Sequence, residues 1–557
     1  MHESYVNRER NPPRRISRLR LSSLKSKIGL SENMPESETD LRKLFQSSEE
    51  LDEPEISSIL GKLPEWLQYG KFIRVGPGLF DLGNFTLNHW LDGYAIVSKF
   101  EIHGETVSLH KKYLQSDAYK RAIAAQKPVI TEFGTKAYPD PNKGLISRLV
   151  SSILPEMTDN DSSNIFKLGK DYFVCNDSCF FRKFDFDTKS LITGDKYDSQ
   201  RLFGLNGLSA HPLTDENGDM YNIGFSALTG LKFSVIRIPS SDAGKSSKDM
   251  LKEAKVVCNI NSSYGPGCVS YVHSFGMTSK YILFIEQPYV ASISAIASAL
   301  IKGHSVKDWL EWRPNLKNRF HLIDKETGKL IKTEIISEKP FFFLHIVNCY
   351  VENDQIVCDV MALDDPGILD GMFLCKLRSN MIEDNAQPSG RRFVIPLGST
   401  KEMPMNSNLV KLDGSSATAM RTGSNCITLS PDVFTEPGCE MPVINKKFVG
   451  KKYTYFYANG TIAKNSFRNS VCKINVNDRS CIFWRDNEYI FPGEPVFISN
   501  PEGEHEDDGI LIAAMSNVQK GENDILVFID ARSMKEVARA RFRAHIPGAL
   551  HGIFVES

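Results

Sequence analysis

One phrase recurs along this chain and constrains its fold more than any other feature. It is an apolar β-prone run, an Asp or Asn near its end, a polar turn, then a second run. It reads FFRKFDFDTKSLITG from Phe180, RFHLIDKETGKLIKTEII from Arg319, VCKINVNDRSCIFWR from Val471 and DILVFIDARSMKEVARARF from Asp524. Polar residues at the turn suit tight antiparallel connections, and the flanking alternation suits half-buried strands. Several such hairpins in one long chain predict radial repetition, a β-propeller, which leaves few open sheet edges. The length of 557 residues exceeds what one ordinary core accommodates and agrees with that architecture. The repeats have diverged too far for their period to give the number of blades.

The first 55 residues read differently. RERNPPRRISRLRLSSLKSK is rich in Arg and Ser, and SENMPESETDLRKLFQSSEELDEPE is acidic. Opposite-signed blocks poor in aromatic residues predict a flexible, disordered tail over 1–55, followed by a propeller domain over 56–557. Arg and Ser enrichment also marks mitochondrial presequences, against which stand Glu3, Glu9 and the Pro12-Pro13 pair. The expected location is cytoplasmic and peripheral to membranes, with mitochondria as the minor alternative. A formal net charge of −1 provides no global field for nucleic acid. Eleven scattered cysteines without a CxxC pair predict free thiols in a reducing compartment. No apolar run approaches the roughly 18 residues that span a bilayer.

Two stretches break the β pattern. In NKGLISRLVSSILPEM, Leu145, Ile146, Leu149, Val150, Ile153 and Leu154 fall on one helical face. In PYVASISAIASALIKGHSVKDWLEW, an Ala/Ile-rich helix is expected to carry Trp309 and Trp312 near its end. Packing against the β body and dipping into a membrane surface are both open readings.

Four of the twelve histidines sit in apolar or turn settings that suggest strand ends: His211, His273, His345 and His551. The last lies in the closing run HIPGALHGIFVES, which is too apolar for a fraying terminus. Taken singly, each reads as a satisfied core histidine, because no two are close enough for a local motif such as HExxH. Only a closed fold brings them together, as a propeller does when inner strands point at one axis. Glu440 and Glu494 occupy similar settings and suit the orienting of imidazoles through their second nitrogen.

The words themselves carry a resemblance. LPEWLQYGKFIRVGPGLFDLG, NHWLDG, SDAYK, EFGTKAYPDPNKG, AHP, YVHSFGMT, HIVNCY, EMPVIN, GKKYTYFYANG, EPVFISNP, EDDGILIAAM and HGIF follow in order over nearly all of the chain after the tail. The chain resembles the carotenoid cleavage oxygenase family, and specifically its animal β-carotene oxygenases. That resemblance implies an all-β, seven-bladed propeller with a helical and loop cap over a substrate tunnel. It implies one Fe(2+) on His211, His273, His345 and His551, with carotenoid and molecular oxygen as substrates and peripheral membrane contact. It also implies three carboxylates behind the histidines. Two fall on Glu440 and Glu494, and the third falls in CNDSC, where Asp177 stands in place of the family's glutamate. Asp is one methylene shorter, so it must approach more closely or act through a bridging water. Asn176 replaces a neighbouring threonine that lies near the metal's open positions in relatives. Asn142 stands where vertebrate relatives have cysteine, so a lipid anchor there is excluded.

Four neutral imidazoles leave two of six octahedral positions open on an iron ion, one for oxygen beside an alkene. A long apolar polyene offers nothing to hydrogen-bond along its length, so shape and aromatic walls must place it. Phe133, Asn176 and Tyr271 are the candidate tunnel residues, with Phe341 to Phe343 and Trp484 as further aromatic candidates; core packing is the other reading of each aromatic. The expected reaction is cleavage of β-carotene to retinal. The alternatives are a retinoid isomerohydrolase, or a carotenoid-binding propeller that has lost catalysis through Asn176 and Asp177.

Overall fold

The computed structural model describes residues 41–144, 156–187, 190–226, 231–240, 245–379, 387–461 and 468–556. All four recurring phrases fold as antiparallel hairpins. They pair Phe180–Asp185 with Ile192–Asp198, Arg319–Asp324 with Glu334–Ser337, Ser470–Asn475 with Cys481–Trp484, and Asp524–Asp530 with Lys535–Phe542. The Asp or Asn that ends each first strand makes the turn. Asp185, Asp324, Asn475 and Asp530 accept backbone N–H groups two or three residues ahead, at 2.9, 2.8, 2.9 and 2.7 Å. These side-chain bonds replace the ladder bonds that the backbone gives up as it reverses.

Among the described residues, seven sheets contain four to six strands each. Apolar faces join every sheet to the next. Ile73 and Val97 meet Ile165 and Phe184. Phe173 and Phe181 meet Met220 and Ile236, and Ile223 and Val235 meet Phe284 and Ile323. Leu283 and Phe320 meet Val360 and Phe393, Val357 and Met361 meet Phe456 and Ile474, and Tyr457 and Val471 meet Leu511 and Val527. Phe528 and Ala540 of the last sheet then meet Phe72 and Phe100 of the first. The two ends of the β body also share one sheet, because the final strand His551–Val555 pairs with Tyr69–Leu79, Val75 opposite His551. This seam is why the closing run is apolar.

A further core lies outside the sheets' mutual contacts. It gathers Leu82, Trp90, Ala118, Ile130, Leu369 and Leu374 from loops and short helices, with Phe133 and Tyr271 packed against it. Leu41–Phe45 joins this core as a short 3-10 helix with Leu41, Leu44 and Phe45 buried. Arg378 donates to the Phe45 carbonyl at 2.8 and 3.1 Å and pairs with Asp81. A flexible tail as far as residue 55 is therefore incorrect for 41–55. Three apolar residues suffice because the surface that receives them is made by distant parts of the chain, which local composition does not register. Residues 1–40 lie outside the described residues.

The Ala/Ile-rich helix is present as Ile293–Lys302, but Trp309 sits in a following 3-10 turn and Trp312 in the strand Leu310–Trp312. Gly303, in the left-handed region at φ 62°, ends the helix before either tryptophan. Trp309 packs on the sheet core beside Ile296. The amphipathic segment 145–154 lies outside the described residues. All eleven cysteines are unpaired.

Candidate metal centre

The four histidines come from four separated places in the chain and meet at one point. His211 and His273 sit in loops, at the ends of LSAHP and YVH; His345 lies in the strand Phe342–Glu352, and His551 opens the last strand. The ladder of Phe342–Glu352 is irregular between Phe343 and Ile346, and such bulges re-aim a side chain. Backbone stitches hold the loops in register. The Ser209 hydroxyl donates to the His273 carbonyl and accepts from the His211 N–H, and Ser274 Oγ donates to Leu344 O at 2.6 Å.

The Nε2 atoms of His211 and His273 lie 3.1 Å apart, those of His273 and His345 3.3 Å, and those of His345 and His551 3.3 Å. One ring nitrogen from each lies within 4.8 Å of the others. Behind three of the rings stands a carboxylate. His273 Nδ1 lies 2.6 Å from Asp177 Oδ2, His345 Nδ1 lies 2.7 Å from Glu440 Oε2, and His551 Nδ1 lies 2.7 Å from Glu494 Oε1. Each carboxylate also accepts a backbone N–H, from Ala210, Met441 and Gly552 respectively. His211 has no carboxylate; its Nδ1 lies 3.4 Å from the Asn164 amide nitrogen.

This arrangement decides what the centre accepts. An imidazole that donates its Nδ1–H to a carboxylate presents only a lone pair at Nε2. Burial holds His211 and His345 below the usual imidazole range; at His273 burial is outweighed by the charge and hydrogen bond of Asp177 together with the Glu440 charge, which raise the pKa. Burial of Glu440 is outweighed by its interaction with His345, the Arg468 guanidinium and the Met441 N–H, which together bring its carboxyl down to about 2. Four Nε2 atoms converging at 3.1–3.3 Å, three of them on rings whose Nδ1 faces a carboxylate, fit a shared cation. Nitrogen ligands at right angles, about 2.1 Å from one ion, lie about 3 Å apart. The donor set fits a divalent metal.

The comparisons with known proteins agree with that geometry. Residues 44–556 match the family described as Retinal pigment epithelial membrane protein. The chain belongs to this family. A family relative from Mustela putorius furo, a carotenoid-cleaving dioxygenase called mitochondrial, is 34% identical over 548 residues, covering 95% of this chain and 98% of its own. A mouse β,β-carotene 15,15'-dioxygenase is 34% identical over 520 residues, covering 92% of this chain and 90% of its own. Among solved structures, a cobalt-substituted Synechocystis apocarotenoid oxygenase superposes with a TM-score of 0.70 at 20% identity, covering 94% of this chain and 99% of that one. That similarity places the mostly β body in the same fold.

The structure brings together every residue expected at the metal centre: the four histidines with Asp177, Glu440 and Glu494. Asp177 needs no bridging water, since its carboxylate reaches His273 directly. The Tyr271 hydroxyl donates to Asp177 Oδ2 at 2.7 Å, and its ring stacks 6.5 Å from Phe342. Asn176 has both ends of its amide engaged by backbone, Nδ2 with Asn160 O and Oδ1 with the Ser178 N–H, each at 2.8 Å. Phe133 meets the His89 ring edge-on at 5.0 Å. The Phe341–Phe343 run divides by strand alternation: Phe342 joins Tyr271, whereas Phe341 and Phe343 pack between sheets with Phe320 and Phe393. Trp484 packs beside Tyr457 and Val471 in another inter-sheet core. These three aromatics are core residues, in correction of the tunnel reading. Ser209 and Ser274 escaped notice although they lie two places before His211 and one place after His273, which was the available signal.

Proposed function

We propose that this chain is an iron(II)-dependent dioxygenase that cleaves a carotenoid double bond to two aldehydes, with β-carotene to retinal as the reaction. The observation that carries the reading is the convergence of four imidazole Nε2 atoms, three of them on rings aimed by carboxylates, in a family whose relatives are named carotenoid dioxygenases. His211, His273, His345 and His551 would hold the metal. An all-imidazole set suits iron among several metals, and the dioxygenase relatives favour iron. The seven sheets packed each on the next support a seven-bladed propeller, and the loop-and-helix core around Trp90 supports its cap.

Bound iron(II) supplies the redox chemistry that lets dioxygen react with an alkene. The chain does the remainder. Asp177, Glu440 and Glu494 fix the ring orientations and offset positive charge in a buried place. Tyr271 and Phe342 present aromatic surface beside His273, and Phe133 extends the apolar wall toward the cap. One carbon–carbon double bond is lost, and each oxygen atom ends in one aldehyde. Direct contact of Asp177 with His273 weighs against the reading in which catalysis has been lost.

Aerobic incubation with β-carotene, followed by chromatography, tests the proposal. Retinal as the main product supports it; ionone with a long apocarotenal overturns central cleavage, and an unaltered polyene overturns the oxygenase. Among the described residues no helix is long and apolar enough to cross a membrane. The amphipathic pattern of 145–154 supports peripheral membrane contact. The mitochondrial relatives support a mitochondrial location, whereas the cytoplasmic alternative rests on composition.

A further inference from the structure

Three cysteines stand in a row across the sheet that carries Glu440. Its strands lie in the order Glu440–Val443, Tyr455–Gly460, Ser470–Asn475 and Cys481–Trp484. Cys439, one residue before the first strand, is buried, and its Sγ lies 3.6 Å from the Sγ of buried Cys472. The bare Cα of Gly460 permits that reach across the intervening strand, since an added Cβ there would stand 3.2 Å from Cys472 Sγ. Cys472 is opposite Phe483 and Ile474 is opposite Cys481, which makes Cys472 and Cys481 diagonal neighbours on one face. Their thiols are close enough to share a hydrogen bond. Cys481 is exposed, as are Ile482 and Phe483 beside it. The row leads from solvent to the core.

Such a row could be a soft-metal site or a redox pair. The first does not fit: among the described residues only the four histidines bring three or more ligand atoms within 4.8 Å of one another. The second does. Thiolate is the attacking form of cysteine, and the hydrogen bond with Cys472 holds the Cys481 thiol below its ordinary value, against a smaller effect of burial. Hydrogen bonds with Cys439 and Cys481, together with burial, push the Cys472 thiol well up. An exposed cysteine poised beside a resolving thiol is what peroxide sensing requires. Diagonal neighbours stand about 7–8 Å apart at Cα and a disulfide spans up to about 7 Å, which leaves about 1 Å to close. Cys481–Trp484 pairs on one side only among the described residues, so it can move by that amount.

We propose that Cys481 and Cys472 are a peroxide-oxidised thiol pair, with Cys481 as the nucleophile and Cys472 as the resolving thiol. The Cys481 sulfur attacks hydrogen peroxide; an S–O bond forms as the O–O bond breaks, and the leaving hydroxide takes the thiol proton away as water. The Cys472 sulfur then attacks the sulfenic acid; an S–S bond forms, the S–O bond breaks, and a second water carries off the Cys472 proton. Each thiol gives up one electron and the peroxide takes both. The disulfide lies in the same sheet as Glu440, whose carboxylate aims His345.

The test treats the metal-loaded protein with one equivalent of hydrogen peroxide and follows each cysteine by differential alkylation and peptide mapping. The expected result is the loss of two thiols per chain, at Cys481 and Cys472, restored by dithiothreitol, while Cys375, the other exposed cysteine, stays free. Cys481→Ser should keep the Cys472 thiol, and Cys472→Ser should stop at a sulfenic acid on Cys481 that dimedone traps. If Cys472→Ser does not fold, Cys481→Ser carries the test. Retention of both thiols, or oxidation of Cys375 ahead of Cys481, overturns the proposal. So does oxidation of Cys472 that persists in Cys481→Ser, which traces it to the metal centre, and so does a disulfide that joins Cys472 to Cys439.

Discussion

Replacing Asp177 removes the support of two histidines at once. Its Oδ2 takes the His273 Nδ1–H at 2.6 Å and the Tyr271 hydroxyl at 2.7 Å, while its Oδ1 takes the Ala210 N–H, beside His211, at 2.9 Å. A hydrogen bond to a charged group contributes about 1.5–3 kcal/mol, and about 1.4 kcal/mol is a factor of ten in affinity. Asp177→Ala should therefore weaken metal binding by about 10–100-fold, the range typical of such supports. Asp177→Asn should do little better, since either amide orientation sets an N–H against a donor. Tyr271→Phe leaves the imidazole bond intact and should cost about tenfold or less. Because both act through one oxygen, the double variant should be no worse than Asp177→Ala alone. Competition with a chelator, read as bound iron against free chelator, measures all four proteins. Unchanged affinity in Asp177→Ala, or fully additive losses in the double variant, would refute the reasoning.

Phe45→Ala should lower stability to urea by about 3 kcal/mol, because a buried ring is lost from the cap core; an unchanged midpoint would return 41–55 to a loose tail. His89 is fully buried, and burial brings its pKa down to about 4. Its neutral form is favoured by the fold, so this stability is present above the unfolded value of about 6.5 and is lost as pH falls through 4. Between pH 7 and 5 the loss is about 2 kcal/mol. Urea titrations at the two pH values should show it in the unmodified protein, and a His89→Asn variant should not. Changing Leu149 and Ile153 to Asp should release the protein from liposomes while turnover of detergent-solubilised carotenoid persists; unchanged liposome binding rules out this surface as the membrane contact.

Much of the β body was legible because the signal is local. Asp185, Asp324, Asn475 and Asp530 each end a strand and make the following turn with their own side chains, so the phrase announces the hairpin. The sheet count was not legible, since it depends on contacts such as Phe528 with Phe72, far apart in the chain. The histidines were legible through their motifs, and the structure alone shows that their Nε2 atoms meet. Leu41, Leu44 and Phe45 were missed because the surface that buries them is built elsewhere. The alternation of Phe341, Phe342 and Phe343 was implicit in a period of two, but only the strand's position shows which face meets Tyr271. The second role of Tyr271 depends on Asp177, which lies 94 positions away.

Elemental analysis of the purified chain beside its His551→Ala variant tests the central claim most directly. The final strand carries His551 to the other three histidines, so removing its imidazole takes one of four donors without disturbing the remainder. One iron per chain in the unmodified protein, falling well below that in His551→Ala with loss of carotenoid turnover, is the predicted result. Full iron content with full turnover in His551→Ala would contradict it.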